Sequence, residues 1–137
     1  MAERQLHLFK GKRQKGELPR PPLEFALHCQ LADVLRLSIA PGWLWTHLPF
    51  GELRHPATAA RLKRMGVNGG LPDFLFVGRG FAFLELKREG SGRLSDDQVA
   101  WSRALVDAGA AFMCCNNLRD ALDWLRDRGI VRVRVSA

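Results

Sequence analysis

At 137 residues the chain has room for one core of ordinary size and not for two, and 47% apolar with 26% charged residues excludes a disordered chain. A net charge of +7 and a pI near 10.2 point to a polyanionic partner, nucleic acid first and an anionic membrane surface second. No apolar run approaches a spanning helix and no hydrophobic signal segment follows the basic start, so a cytoplasmic protein away from the membrane is expected.

Residues 1 to 22 carry Arg4, Lys10, Lys12, Arg13, Lys15 and Arg20 against Glu3 and Glu17, so +4 of the net +7 is concentrated there. Pro19, Pro21 and Pro22 close the segment with a stiff, non-helical stretch. It reads as a solvated tail, a basic arm gripping phosphates through Lys10, Lys12, Arg13 and Lys15, or both.

From Leu23 the pattern turns helical: Leu23, Leu27, Leu31, Val34, Leu35 and Ile39 recur at three- and four-residue spacing until Pro41-Gly42. Glu24 falls inside that apolar stripe, with His28 one turn on. A carboxylate there needs a cation or a strong hydrogen bond, unless it simply lies on the dipole-favoured first turn. Trp43 to Pro49 predicts the first core strand, on which His47 reads as a packed or supporting residue. Residues 56 to 65 predict a short helix whose last turn bears Arg61, Lys63 and Arg64, dipole partners or phosphate contacts.

Gly69 to Lys87 is the stretch around which the rest is organised. Two short Phe-, Leu- and Val-rich runs flank Gly78-Arg79-Gly80, which predicts a β-hairpin with Val77 facing Phe81. That register puts Asp73 opposite Glu85, and the period of two puts Glu85 and Lys87 on one side of their strand. Two acids facing each other across a strand pair need a cation to hold them, and a divalent metal is the natural candidate.

Beyond the hairpin, Arg88 to Arg93 is a loop basic at both ends. Ser95-Asp96-Asp97-Gln98 is a capping-box sequence that opens a helix with Gln98, Trp101 and Leu105 on one face. Ala110 to Cys115 predicts a strand buried on both faces. Cys29, Cys114 and Cys115 are expected as free thiols, the adjacent pair lacking a Cys-x-x-Cys spacing. Asn116-Asn117 caps a further amphipathic helix bounded by Gly129. Ile130 to Val135 alternates valine with Arg132 and Arg134, as expected of an edge strand whose arginines either block unwanted pairing or bind a partner. The order of elements predicts a mixed sheet with helices on its faces.

Pro72-Asp73, followed twelve residues after the aspartate by Glu85 of Glu85-Leu86-Lys87, resembles the motif of the PD-(D/E)xK nuclease superfamily. The wider context is Met65-Gly66-Val67, Gly69-Gly70-Leu71-Pro72-Asp73, Phe83-Leu84-Glu85-Leu86-Lys87, Leu94-Ser95 and Gln98-Val99-Ala100-Trp101. It is similar to the virus-type replication-repair nuclease (VRR-NUC) branch, in its stand-alone phage or prophage form, over roughly residues 23 to 128. The resemblance implies an α/β fold with a restriction-endonuclease-like core, its mixed central β-sheet flanked by helices, over residues 23 to 137. It also implies that Asp73, Glu85, Glu24 and the Leu86 carbonyl hold Mg²⁺ or Mn²⁺, and that Lys87 and Gln98 act in the hydrolysis of a phosphodiester. Arg88 and Arg93 would join the other basic residues on DNA. The activity implied is that of a homodimeric endonuclease cutting branched DNA such as four-way junctions in a bacterial cytoplasm. A flap- or end-directed nuclease and a non-catalytic nucleic-acid-binding module are the alternatives.

Overall fold

The computed structural model describes residues 24–51, 55–90 and 92–132. The basic segment 1–22, with Lys10, Lys12, Arg13 and Lys15, and the expected strand residues 133–135 lie outside them.

Helix α1, Glu24–Ser38, forms where the three-four apolar spacing predicts it, and buries Leu27, Leu31 and Leu35. It gives way to a Pro41-Gly42 turn and then to strand β1, Leu44–His47. A 3₁₀ turn, Pro49–Gly51, precedes helix α2, Pro56–Arg64. Pro56 opens α2, where a missing N–H costs nothing, and the His55 ring nitrogen accepts the Ala57 N–H at 3.1 Å. None of the α2 residues is buried. Strands β2, Phe74–Val77, and β3, Phe81–Leu86, make the hairpin. Helix α3, Asp96–Asp107, strand β4, Ala111–Cys115, and helix α4, Leu118–Asp127, complete the described elements.

The four strands lie in the order β1-β2-β3-β4. The first two pairings are antiparallel and β3 runs parallel to β4, so the sheet is mixed as expected. Val77 pairs with Phe81 and Phe74 with Leu84, the register that the two flanking glycines predict. The turn itself is crowded: a Cβ on Gly78 would lie 2.5 Å from the Trp43 ring, so only glycine fits beneath that indole.

One face of the sheet carries Phe74, Phe76, Ala82, Leu84 and Leu86, and these form a single core with Leu27, Leu31 and Leu35 of α1 and Ala121 and Leu125 of α4. Trp43 and Trp45 pack against the rim of this core, whereas Leu44 is 74% exposed. On the opposite face Glu85 meets Gln98 of α3, a helix that packs on β4. Truncating Leu31, which has no solvent exposure, to alanine would cost about 2–5 kcal/mol.

Two expectations change. Strand β4 is half-buried at every position, because it ends the sheet and has a neighbouring strand on one side only among the described residues. Of the expected last strand, Ile130 and Val131 are buried, and Val131 bridges antiparallel to Ile39 at the end of α1, apart from the four-stranded sheet. The Ala40 N–H bonds to Ile130 O at 2.8 Å and the Arg132 N–H to Ser38 O at 2.8 Å, tying the end of α1 to the end of the described chain.

Candidate active site

Asp73 immediately precedes β2, and Glu85 and Leu86 close β3, so the hairpin delivers all three to one end of the sheet. The opposition of Asp73 and Glu85 expected from the register takes a specific form. The Asp73 N–H donates to Glu85 Oε2 at 3.0 Å, and the Leu86 N–H donates to Asp73 Oδ2 at 2.9 Å. Each carboxylate thus binds the other strand's backbone, which fixes both side chains across the hairpin.

Glu85 is the one buried charged residue among the described residues, 3% exposed. Its Oε1 meets Lys87 Nζ at 3.1 Å and accepts from Gln98 Nε2 at 2.8 Å. Gln98 is engaged at both ends of its amide: Oε1 takes the Ser95 N–H at 3.0 Å in the capping box, while Nε2 reaches down to the sheet. The helix start and the carboxylate are therefore locked together. The loop before Asp73 closes on the same helix end, since Gly70 has φ +87 and a Cβ there would lie 2.7 Å from the Asp97 backbone.

Burial, followed by the charge of Asp73, pushes the Glu85 carboxyl up to about 7, against the opposing pull of Lys87. For His28, burial favours the neutral ring, but Asp73, with Glu24 and Glu85, outweighs it and moves the pKa upward. Asp73 contributes to both shifts, second to burial at Glu85 and against burial at His28.

The sequence left His28 without an assigned role and read His47 as a packed or supporting residue. His28 Nε2 lies 3.2 Å from Asp73 Oδ2, and His47 Nδ1 donates to the Asp73 carbonyl at 2.8 Å. The Leu48 N–H shares that carbonyl at 2.6 Å. The sequence signal for His28 is its position one turn after Glu24, whereas the pairing of His47 with Phe74, next to Asp73, comes from the β1–β2 register of the fold.

Glu24 is exposed on the first turn of α1, and its Oε1 accepts the Arg88 N–H at 3.2 Å. It straps α1 to the chain leaving β3 instead of joining the other two acids: among the described residues no three Asp, Glu, His or Cys side chains converge as a metal cage. Leu86 has its side chain in the core and offers its amide to Asp73. Arg61, Lys63 and Arg64 stand at the end of α2, none of them buried, and Arg93 is exposed on the loop before α3. Arg88 is half-buried beside Glu24.

The donor set fits a hard divalent cation. The Asp73 and Glu85 carboxylates supply oxygen ligands across the hairpin, and Mg²⁺ is commonly held by one or two carboxylates with water and substrate phosphate completing its shell. A cleft of about 470 Å³ also borders Lys87, but its other walls include Cys114, Trp124 and the acidic row Asp120, Asp123 and Asp127. That acidic wall disfavours any anionic ligand.

A solved structure described as a VRR_NUC domain protein superposes on this chain with a TM-score of 0.51 at 18% sequence identity, covering 91% of this chain and 82% of that one. The fold is VRR-NUC-like. No family model and no curated protein matches the sequence. The VRR-NUC-like likeness extends over nearly all of the chain, so the hairpin, α3 and the flanking helices belong to one α/β architecture.

Proposed function

We propose that the chain is a Mg²⁺- or Mn²⁺-dependent DNA endonuclease that acts as a homodimer on branched DNA, four-way junctions in particular. The observation that carries the reading is the single bonded network of Asp73, Glu85, Lys87 and Gln98 at one end of a VRR-NUC-like fold.

Asp73 and Glu85 would hold the cation, with the Leu86 carbonyl as a further oxygen, and Glu24 would join as an auxiliary acid by turning from the Arg88 amide. When bound, the cation supplies acidification of water and neutralisation of charge on the phosphoryl oxygens. The chain's own groups do the rest. Lys87, its side chain 15% exposed, keeps its ammonium at the carboxylate edge. From there it can orient a water for attack on phosphorus or stabilise the charge that develops. Gln98 prevents Glu85 from rotating away, and the buried setting raises the strength of every charge interaction around it. Water adds across one P–O bond, leaving a phosphomonoester and a hydroxyl. Arg61, Lys63, Arg64, Arg88, Arg93 and the basic residues before Pro19 would neutralise backbone phosphates without reading sequence.

Each chain has one such site, whereas resolving a junction takes two matched cuts, which a two-fold dimer provides. The exposed apolar side chains Leu44 and Phe81, at 74% and 58%, flank Val77 on the sheet face that bears Glu85, and they support self-association.

The test is purified protein with Mg²⁺ or Mn²⁺ on linear duplex, flap and four-way-junction DNA, run beside light scattering. Paired metal-dependent cuts at the junction by a dimer are expected. Preferential cutting of flaps or ends by a monomer would replace this reading with the end-directed one. Tight DNA binding without cleavage would leave a binding module.

A further inference from the structure

Asp73 is held through its main chain by three hydrogen bonds: its carbonyl accepts from His47 Nδ1 and the Leu48 N–H, and its own N–H is tied to Glu85. Its carboxylate has one hydrogen bond from the backbone, the Leu86 N–H on Oδ2. A carboxylate on a single hydrogen bond can swivel about it. What stands beside Oδ2 to stop this is His28 Nε2, 3.2 Å away.

His28 is itself immobilised. Its ring meets Phe74 edge-on at 5.5 Å and 79°, and lies 5.1 Å from the His47 ring. Its helix is anchored on either side of it by the buried Leu27 and Leu31. Yet Nε2 is buried without a hydrogen bond of good angle. A nitrogen left so is costly in a site where an apolar ring would fill the space, and an unsatisfied buried group in a folded protein calls for a functional account. Here Asp73 Oδ2 is the acceptor within reach.

We infer that His28 is a positioning residue: a strut from α1 that holds the Asp73 carboxylate through Oδ2 and so presents its second oxygen to the cation. The inference rests on the metal-site reading of Asp73 and Glu85. Groups that orient a metal's direct ligands typically change affinity by about 10–100-fold when removed, and the strut acts at that level.

The experiment compares full-length wild type, His28→Phe, His28→Gln and Asp73→Asn by Mn²⁺ titration calorimetry and by thermal melting in chelator. His28→Phe keeps the ring against Phe74 and removes both nitrogens, whereas His28→Gln loses the ring and keeps an N–H. The expected result is Mn²⁺ affinity about tenfold weaker in His28→Phe and largely recovered in His28→Gln, with melting temperatures in the opposite order. Wild-type affinity in His28→Phe, or affinities that follow the melting temperatures, would overturn the strut. If His28→Phe does not fold, His28→Leu makes the same comparison. A wild type that binds no Mn²⁺, or binds it no more tightly than Asp73→Asn does, overturns the metal site and the strut with it. Mn²⁺ binding that needs Asp73 and ignores His28 removes the strut alone.

Discussion

Glu85→Gln should make the metal-free protein more stable at neutral and alkaline pH, although it removes a charged partner of Lys87. The folded carboxyl has moved from 4.5 to about 7. At about 1.4 kcal/mol for each tenfold change in proton affinity, ionising it in the folded state costs on the order of 3 kcal/mol. The sign follows from proton counting. Between the two pKa values the folded chain holds more protons than the unfolded one, so wild-type stability falls as pH rises from about 4.5 to 7 and then levels off. His28 works in the same direction, since its raised pKa gives stability below its ordinary value that is lost as pH climbs through the raised one. Glutamine copies the shape of the protonated acid and carries no charge, so the difference between variant and wild type isolates the Glu85 contribution. The attraction to Lys87 is already netted in the raised pKa, so the gain is on the order of 3 kcal/mol at pH 8 and close to none at pH 4. Urea unfolding in chelator across that range measures it. Saturating Mg²⁺ should return stability to wild type alone, by about 2.7 kcal/mol at a hundredfold excess over its dissociation constant. A variant that is less stable than wild type at pH 8, or a difference that does not change with pH, would refute the reasoning.

Asp73→Asn and Lys87→Ala should each abolish cleavage while a gel-shift assay shows DNA binding retained; full activity in a folded Asp73→Asn protein would end the nuclease reading. Gln98→Ala frees Glu85 and removes half of the capping box, so we expect about 1 kcal/mol of lost stability by melting together with a raised Mg²⁺ requirement for cleavage. Glu24→Gln keeps an acceptor for the Arg88 N–H, and a modest loss of activity rescued by added metal is expected; an unchanged metal titration would confine Glu24 to its strap. Deleting residues 1 to 20 should weaken DNA binding without moving the cut sites, and the slope of log affinity against log salt should fall by about 0.9 for each duplex phosphate that the tail no longer neutralises.

The residues most legible in the sequence are those governed by neighbours a few positions away. Gly78 and Gly80 around Arg79 determine the hairpin turn, the turn determines that Val77 meets Phe81, and the period of two then carries Asp73 opposite Glu85. Ser95 and Gln98 announce their capping box for the same reason, because the bonds that make it close within one helical turn. Tertiary structure decided the rest. The pattern of α1 shows that Leu27, Leu31 and Leu35 are buried, but not which sheet residue lies above His28, and Asp73 is 45 positions further along the chain. Likewise the capping box explains one end of the Gln98 amide, and only the docking of α3 across the sheet brings the other to Glu85. Glu24 reads as an acid within an apolar stripe, yet the seating of α1 brings its carboxylate to the Arg88 amide and not into a cage with Asp73 and Glu85. Strand β4 reads as buried on both faces from its apolar run, although its place at the end of the sheet among the described residues leaves it half-buried. Periodicity tells which face of an element seeks the core; where two such faces meet depends on how all the apolar faces bury one another together, a property of the assembled core that no window of sequence contains.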